Sequence, residues 1–272
     1  MRVLVIGSKG MLGKDLMEEL ANPGYEVIGL GLRDLDISKE FDMPKIEAIN
    51  PDLIINCAAY TNVDKAESER DRCYSTNVTG VKNIVNFCKK NDIIMIQYST
   101  DYVFSGDKEG YNEEDRKQPI NYYGETKSQG EDYIINNLNK CYIIRTSWLY
   151  GKNGKNFVDT IINLCKDTDE IKVVNDQTGR PTYTKDLSKA TIYLIKNKNE
   201  YGIYHITNSD KCSWFEFAQE IVKLKGLNSI INPCTSEEFP RDAKRPKFSV
   251  LNNNKIESLR SWKEALRDYL GQ

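Results

Sequence analysis

The 272-residue sequence predicts an α/β protein: a doubly wound parallel sheet with a smaller C-terminal α/β cap. Two observations carry this prediction. Short, near-continuous apolar runs alternate with segments of helical periodicity through the first half, as expected for strands buried on both faces and joined by crossover helices. A glycine-rich turn follows the first of these runs and opens a helix.

The candidate strands of the first half are Arg2–Ile6 (RVLVI), Tyr25–Leu30 (YEVIGL), Asp52–Asn56 (DLIIN), Ile93–Tyr98 (IIMIQY) and Cys141–Arg145 (CYIIR). Between them, Val78, Val81, Ile84, Val85 and Cys88 fall on one helical stripe. Strand, helix, strand repeated in this way implies right-handed crossovers. The second half is less regular. It shows helical patterns near 156–166, 185–197, 214–225 and 261–270, and short strands near 171–174 and 202–207. The expected division is a sheet domain over 1–150 and a cap over mainly 151–272. There is no obvious flexible linker, and later segments are expected to return to the sheet so that the two parts interleave.

Composition narrows the function classes. Hydrophobic residues make up 39% and charged residues 29%, as in a globular protein. The net charge of -2 argues against general binding to nucleic acid or anionic membranes. No apolar run approaches the roughly 20 residues that span a bilayer. The N-terminal MRVLVIGSKG reads as a strand and turn, not as a signal peptide. Seven scattered cysteines without a CxxC pair suggest reduced thiols and a cytoplasmic setting. His205 is the single histidine, which leaves little room for a histidine-based triad or a multi-histidine metal site. Its simplest role is a packed strand residue.

The first strand runs into Gly7-Ser8-Lys9-Gly10-Met11-Leu12-Gly13, a GxxGxxG. Gly7 permits the tight turn, Gly10 lets backbone approach a pyrophosphate, and Gly13 lets the helix pack on the sheet. The N–H groups at the helix start, around Met11 and Leu12, offer partial positive charge to phosphate, with Ser8 in the same turn. The first domain is therefore expected to be a dinucleotide-binding Rossmann domain. The second strand ends in Gly29-Leu30-Gly31-Leu32-Arg33, where an acidic residue would bind a ribose hydroxyl and repel a 2′-phosphate. Arg33 either pairs with that phosphate or is a solvated loop charge; NADPH is the expected cofactor, with NADH the alternative. Asp36 and Ile37 are placed beside the adenine. At the third strand end, Ala58, Ala59 and Tyr60 leave room for ribose and nicotinamide, or pack tightly for their own sake.

The fourth strand ends in Ser99-Thr100, hydroxyls that can face the same crevice, because ligands of open α/β sheets bind beyond the carboxyl ends of the strands. Tyr123 and Lys127 follow, four residues apart and on one helical face. Tyr123 suits a proton donor, its ordinary pKa being about 10. Lys127 is expected to favour its phenolate.

STDYVF (99–104) and YGETK (123–127), after the glycine loop, resemble the extended short-chain dehydrogenase/reductase family. CAAYTNVDKAES (57–68), RTSWLYG (145–151), NDQTGRPT (175–182) and RPKFSVLN (245–252) resemble, more narrowly, its dTDP-4-dehydrorhamnose reductase branch. The likeness spans residues 2 to 252. It implies a dTDP-sugar substrate whose 4-keto group is reduced, with Thr100, Tyr123 and Lys127 as the catalytic set. It places Ser99, Tyr123 and Lys127 against the cofactor. On the substrate side it places Thr61, Val63, Asp101, Trp148 and Arg245, the arginine as a diphosphate clamp or else a surface ion pair. Trp148 stacks near the sugar or is plain core. A homodimer is compatible with the likeness. No catalytic metal is expected, because hydride transfer with a tyrosine acid does not need one; Glu67, Glu69, Glu113, Glu114 and Asp115 read as solvated charge. The competing readings are a reductase of another 4-keto nucleotide sugar and a non-catalytic NADP-binding regulatory subunit. A dehydratase is disfavoured, since it would want Asp-Glu after the hydroxyl and here Tyr102 follows Asp101.

Overall fold

The computed structural model describes residues 1–21 and 24–272. The chain begins β1 (Arg2–Ile6), α1 (Met11–Leu20), β2 (Glu26–Leu30), α2 (Met43–Ile49), β3 (Leu53–Asn56), α3 (Val63–Ala66), α4 (Arg70–Tyr74) and α5 (Gly80–Asn91). It continues with β4 (Ile94–Thr100), α6 (Tyr122–Asn137), β5 (Cys141–Thr146), β6 (Leu149–Tyr150), α7 (Phe157–Asp167), β7 (Glu170–Val174), β8 (Thr178–Gly179) and β9 (Thr182–Tyr183). The remainder is α8 (Thr184–Lys196), β10 (Gly202–His205), β11 (Cys212–Ser213), α9 (Trp214–Lys225), β12 (Ile230–Cys234) and α10 (Trp262–Leu270).

The central sheet has six strands in the order β10-β5-β4-β3-β1-β2, and every pairing is parallel. Both of its faces are covered. On one, Leu12, Leu16 and Leu20 of α1 pack with Leu187 and Leu194 of α8 over Val3, Val5 and Ile55. On the other, Ile46 of α2, Val81, Ile84, Val85 and Cys88 of α5 and Ile134 of α6 pack over Leu4, Ile6 and Ile54. Burial on both sides is why these strands read as unbroken apolar runs. The sequence reverses direction of winding between β1 and β3, and that switch point opens the crevice where ligands of such sheets bind.

The observed strands differ from expectation mainly at their ends. β4 runs two residues past Tyr98, because Ser99 and Thr100 pair with Arg145 and Thr146 of β5. The predicted 202–207 strand stops at His205, the last residue in register with β5. The helix expected around the valine stripe contains a π turn over Ser75–Thr79 that joins α4 to α5.

The second core belongs to the cap, where Val158 and Ile161 of α7, Phe217 and Ile221 of α9, and Trp262 and Leu266 of α10 enclose the parallel pair β7 and β12. Between these cap elements the chain returns to the sheet through α8 and β10. Among the described residues, no helix is long and apolar enough to cross a membrane.

Glu113 corrects one expectation. It is 3% exposed, not solvated, and its carboxylate accepts from the His205 and Asn254 backbone N–H groups at 3.4 and 3.1 Å. Beside it, the buried Arg145 forks onto Glu131 at 3.0 and 2.7 Å and reaches His205 Nε2 at 3.3 Å. His205 is fully buried in β10. Burial and the Arg145 charge push its pKa down to about 4, so it is neutral at ordinary pH.

Candidate active site

The glycine loop closes on the switch point. Gly7 has φ +77°, and a Cβ there would stand 2.8 Å from Ala58 N at the end of β3. A Cβ on Gly13 would lie 2.2 Å from Gly7 O, so only glycine lets α1 start against the loop. At Gly10 a Cβ would meet only Gly7 O, at 3.2 Å, and the other side of the residue is open. The first turn of α1 carries no acid and no side-chain cap. Ser8 is buried under Gly29, and the Leu12 side chain is core, so Leu12 can offer a ligand only its backbone. Met11 faces the cavity described below.

At the end of β2 the acidic residue is Asp34, which accepts from Gly31 N at 2.9 Å and Lys9 Nζ at 3.1 Å. The Gly31 N–H, then Lys9, holds its carboxyl below the usual range. Arg33 is exposed and, among the described residues, makes no ion pair. Asp36 accepts from Ser38 N and Oγ at 3.1 and 2.7 Å. Ile37 corrects the sequence reading: its side chain is core, and a Cβ on Gly80 would lie 2.5 Å from its Cγ1.

Beyond β3, Tyr60 is gripped through its backbone. Asn77, in the π turn, accepts from Tyr60 N at 2.9 Å and donates to Tyr60 O at 3.1 Å and Thr126 Oγ1 at 3.1 Å. It ties the third strand end to α6, between the turns that carry Tyr123 and Lys127. Glu67 and Glu69 are pins rather than solvated charges. Glu67 accepts from Tyr122 N at 2.8 Å, and Glu69 from Tyr60 OH at 3.0 Å.

The carboxyl ends of β4 and β5 open into a cavity of about 330 Å³ lined by Thr61, Val63, Ser99, Thr100, Asp101, Tyr123 and Trp148, among others. A neighbouring cavity of about 390 Å³ includes Asp64, Gln177, Phe239, Arg241 and Arg245. Val63, Tyr102 and Trp214 border both, so the two form one cleft between sheet and cap. Local packing fixes the start of α6 against this cleft. Asn121 caps the helix by accepting from Gly124 N at 2.8 Å and donates to Lys244 O at 2.9 Å. A Cβ on Gly124 would stand 2.1 Å from Tyr102 O, so α6 is wedged against the segment that leaves β4.

Within the cleft, burial raises the Tyr123 phenol well above its ordinary pKa, and the Thr100 hydroxyl acts against that shift. Lys127 follows Tyr123 by one turn of α6, and its ammonium donates to Tyr98 O at 2.6 Å. Burial brings Lys127 down to about 8, with Glu131 resisting. Thr100 is engaged on the side away from the cavity. It donates to Asp101 Oδ1 at 2.9 Å and accepts from Tyr102 N at 3.2 Å. Asp101 is 3% exposed and sits behind Thr100, so its side chain is not freely presented to a sugar.

Arg245 pairs with Asp64 at 2.9 Å and donates to Ala243 O at 2.8 Å. Trp148, at φ +48°, lies flat on Trp214 with ring centroids 3.5 Å apart. A Cβ on Gly179 would stand 2.4 Å from the Trp148 ring. Trp214 was not foreseen. It is the first residue of α9, inside the Ser213-x-x-Glu216 capping box, and nothing local says that its ring faces a cleft lined by residues as distant as Thr61 and Thr100. Among the described residues there is no cluster of three or more His, Cys, Asp or Glu side chains that could hold a metal.

The family described as the RmlD substrate binding domain matches residues 1–272. The spore coat polysaccharide biosynthesis protein SpsK of Bacillus subtilis is 40% identical over 99% of this chain and 96% of its own length. Two crystal structures are similar throughout. A dTDP-4-dehydrorhamnose reductase from Clostridium acetobutylicum has a TM-score of 0.96 at 44% identity, covering 100% of this chain and 99% of its own. One from Bacillus anthracis in complex with NADP has a TM-score of 0.95 at 42% identity, covering 99% and 98%.

Proposed function

This chain belongs to the RmlD substrate binding domain family, and from that premise we propose that it is an NADPH-dependent reductase of the 4-keto group of a dTDP-4-dehydro-6-deoxy sugar, dTDP-4-dehydro-L-rhamnose foremost. The observation that carries the reading is the convergence of Thr100 and Tyr123 on one cavity at the carboxyl ends of the sheet strands, with Lys127 one helical turn beyond Tyr123. The similar Bacillus anthracis reductase is described in complex with NADP.

The residues fit that cofactor. The open face of Gly10 and the acid-free start of α1 suit a pyrophosphate, and Arg33, which makes no ion pair among the described residues, suits a 2′-phosphate. Lys127 and the small residues Ala58 and Ala59 are assigned to the ribose and nicotinamide side. NADPH, when bound, supplies the hydride that reduces the keto carbon. Tyr123 supplies the proton. As the keto carbon gains hydride, its oxygen becomes an alkoxide and takes the phenolic hydrogen of Tyr123. Burial keeps that phenol protonated in the free protein, so the proton is in place before the sugar arrives. Lys127, one turn of α6 beyond Tyr123, is assigned the positive charge that offsets the new phenolate. On the substrate side, Arg245 exchanges Asp64 for the diphosphate, with Trp148, Thr61 and Val63 around the sugar.

The test is incubation of the purified protein with NADPH and enzymatically generated dTDP-4-dehydro-L-rhamnose, with the product identified by NMR. The expected product is dTDP-L-rhamnose, formed in step with NADPH loss. A product epimeric at C4 would point to another ketoreductase. NADPH binding without turnover of any 4-keto sugar would point to a regulatory subunit.

A further inference from the structure

Resting on the reductase reading above, we propose that Asp101 is a positioning residue that sets the direction of the Thr100 hydroxyl: as a neutral acid it donates to Thr100 and frees the Thr100 proton for the substrate's keto oxygen, and as a carboxylate it captures that proton and turns the site off.

Thr100 has one O–H and two acceptor sites. The Tyr102 N–H can only donate, so it fills one acceptor site. What remains is one O–H and one acceptor site, shared between Asp101 at 2.9 Å and the cavity side, where Tyr123 lies. An ionised Asp101 can only accept. The Thr100 O–H must then point at Asp101, and Thr100 shows the cavity an acceptor. That acceptor cannot bind a keto oxygen, and it competes for the Tyr123 proton. A neutral Asp101 reverses the chain. Its O–H goes to Thr100, and the Thr100 O–H points into the cavity, where it can stabilise the developing alkoxide.

The surroundings of Asp101 make the neutral form accessible. Oδ2 is buried and makes no hydrogen bond. The groups that act on the carboxyl are the Ser249 and Thr100 hydroxyls and the backbone N–H groups of Asp101 and Tyr102. Tyr123 faces it from α6. None is a cation. Arg245 lies 5.9 Å from the Tyr102 ring and is engaged with Asp64. Burial without a counter-charge pushes the Asp101 carboxyl up to about 7, despite Ser249 and Thr100. The switch thus lies near neutrality, below the Lys127 titration.

Two measurements test this. The first is the pH dependence of single-turnover NADPH oxidation for the wild type and for Asp101→Asn, whose amide can donate to Thr100 at every pH. The wild-type rate is expected to fall as pH rises through Asp101's titration, approaching tenfold per pH unit. Asp101→Asn is expected to stay flat there, within a few fold of the wild-type acid plateau, and to keep only the higher limb of Lys127. In a Thr100→Val background, Asp101→Asn should change neither the rate nor the pH profile. An Asp101→Asn enzyme with the wild-type profile would overturn the inference while leaving the reductase reading intact. The second needs no variant and no turnover: the carboxyl carbons of ¹³C-aspartate-labelled wild type with NADPH, followed by NMR. One carboxyl titrating near neutrality supports the inference. All of them titrating in the acid range would overturn it, whatever the substrate proves to be.

Discussion

The Lys127 ammonium donates to the backbone carbonyl of Tyr98 at 2.6 Å, from a residue one turn of α6 beyond Tyr123. This side chain is 7% exposed, and burial lowers its pKa from 10.5 to about 8. An unfolded lysine keeps its proton until about pH 10.5, whereas the folded one loses it near pH 8. Between those values the unfolded chain binds more protons, so raising the pH favours the fold. The expected outcome is that the unfolding free energy of the wild type, relative to Lys127→Met, increases between pH 8 and 10.5. At about 1.4 kcal/mol per pKa unit, the gain is at most about 3 to 4 kcal/mol. Denaturant titrations of both proteins across that range check it. The Met variant should also lose most of its reductase activity.

Gly13 offers a test of the glycine loop that is independent of substrate. A Cβ there would lie 2.2 Å from Gly7 O, a backbone atom that cannot swing away. Gly13→Ala is expected to push α1 off the loop, cost about 1–3 kcal/mol, and lower Tm by several degrees. NADPH binding, read by its fluorescence, should weaken further than stability alone explains. Gly10→Ala should leave Tm nearly unchanged and still weaken NADPH binding, because its Cβ would meet only Gly7 O, at 3.2 Å.

Arg33 has no protein partner among the described residues and stands at the end of β2. If it pairs with the 2′-phosphate, Arg33→Ala should reduce the ratio of kcat/KM for NADPH over NADH by about tenfold or more. The NADH values should barely move. Equal losses for both cofactors would remove this residue from the assignment.

Arg245 and Asp64 make the second half of the cleft testable. Charge-assisted hydrogen bonds to a diphosphate are worth about 1.5–3 kcal/mol. Arg245→Ala is therefore expected to raise KM for the dTDP-sugar roughly 10- to 100-fold with kcat changed little. Asp64→Asn should lower KM, because the diphosphate no longer competes with Asp64 for the guanidinium.

Much of the fold was legible because the signals are local. β1, β3, β4 and β5 are buried on both faces and therefore nearly continuous in apolar residues, the edge strand β2 is only half-buried, and Gly7, Gly10 and Gly13 sit where a strand must turn into a helix. The Tyr123/Lys127 pair was legible from spacing and its neighbouring blocks. What the sequence could not show depends on distant partners. Glu113 looks like surface charge beside Glu114 and Asp115, yet it is buried against His205 and Asn254, some 90 and 140 residues away. Lys127 faces Tyr98, and Ile37 turns inward under Gly80, because of tertiary packing that leaves no local pattern. The Trp148–Trp214 stack joins two elements 66 residues apart, and neither ring announces the other.

The most direct test of the account is Tyr123→Phe, which removes one hydroxyl and keeps the ring. Single-turnover NADPH oxidation would be followed by stopped flow with dTDP-4-dehydro-L-rhamnose, alongside NADPH binding to the same variant. The account predicts unchanged NADPH affinity and a rate lower by about 10²- to 10⁴-fold, the contribution of a positioned general acid. A variant that reduces the sugar at the wild-type rate would contradict it, and the proton donor would have to be sought elsewhere in the cavity.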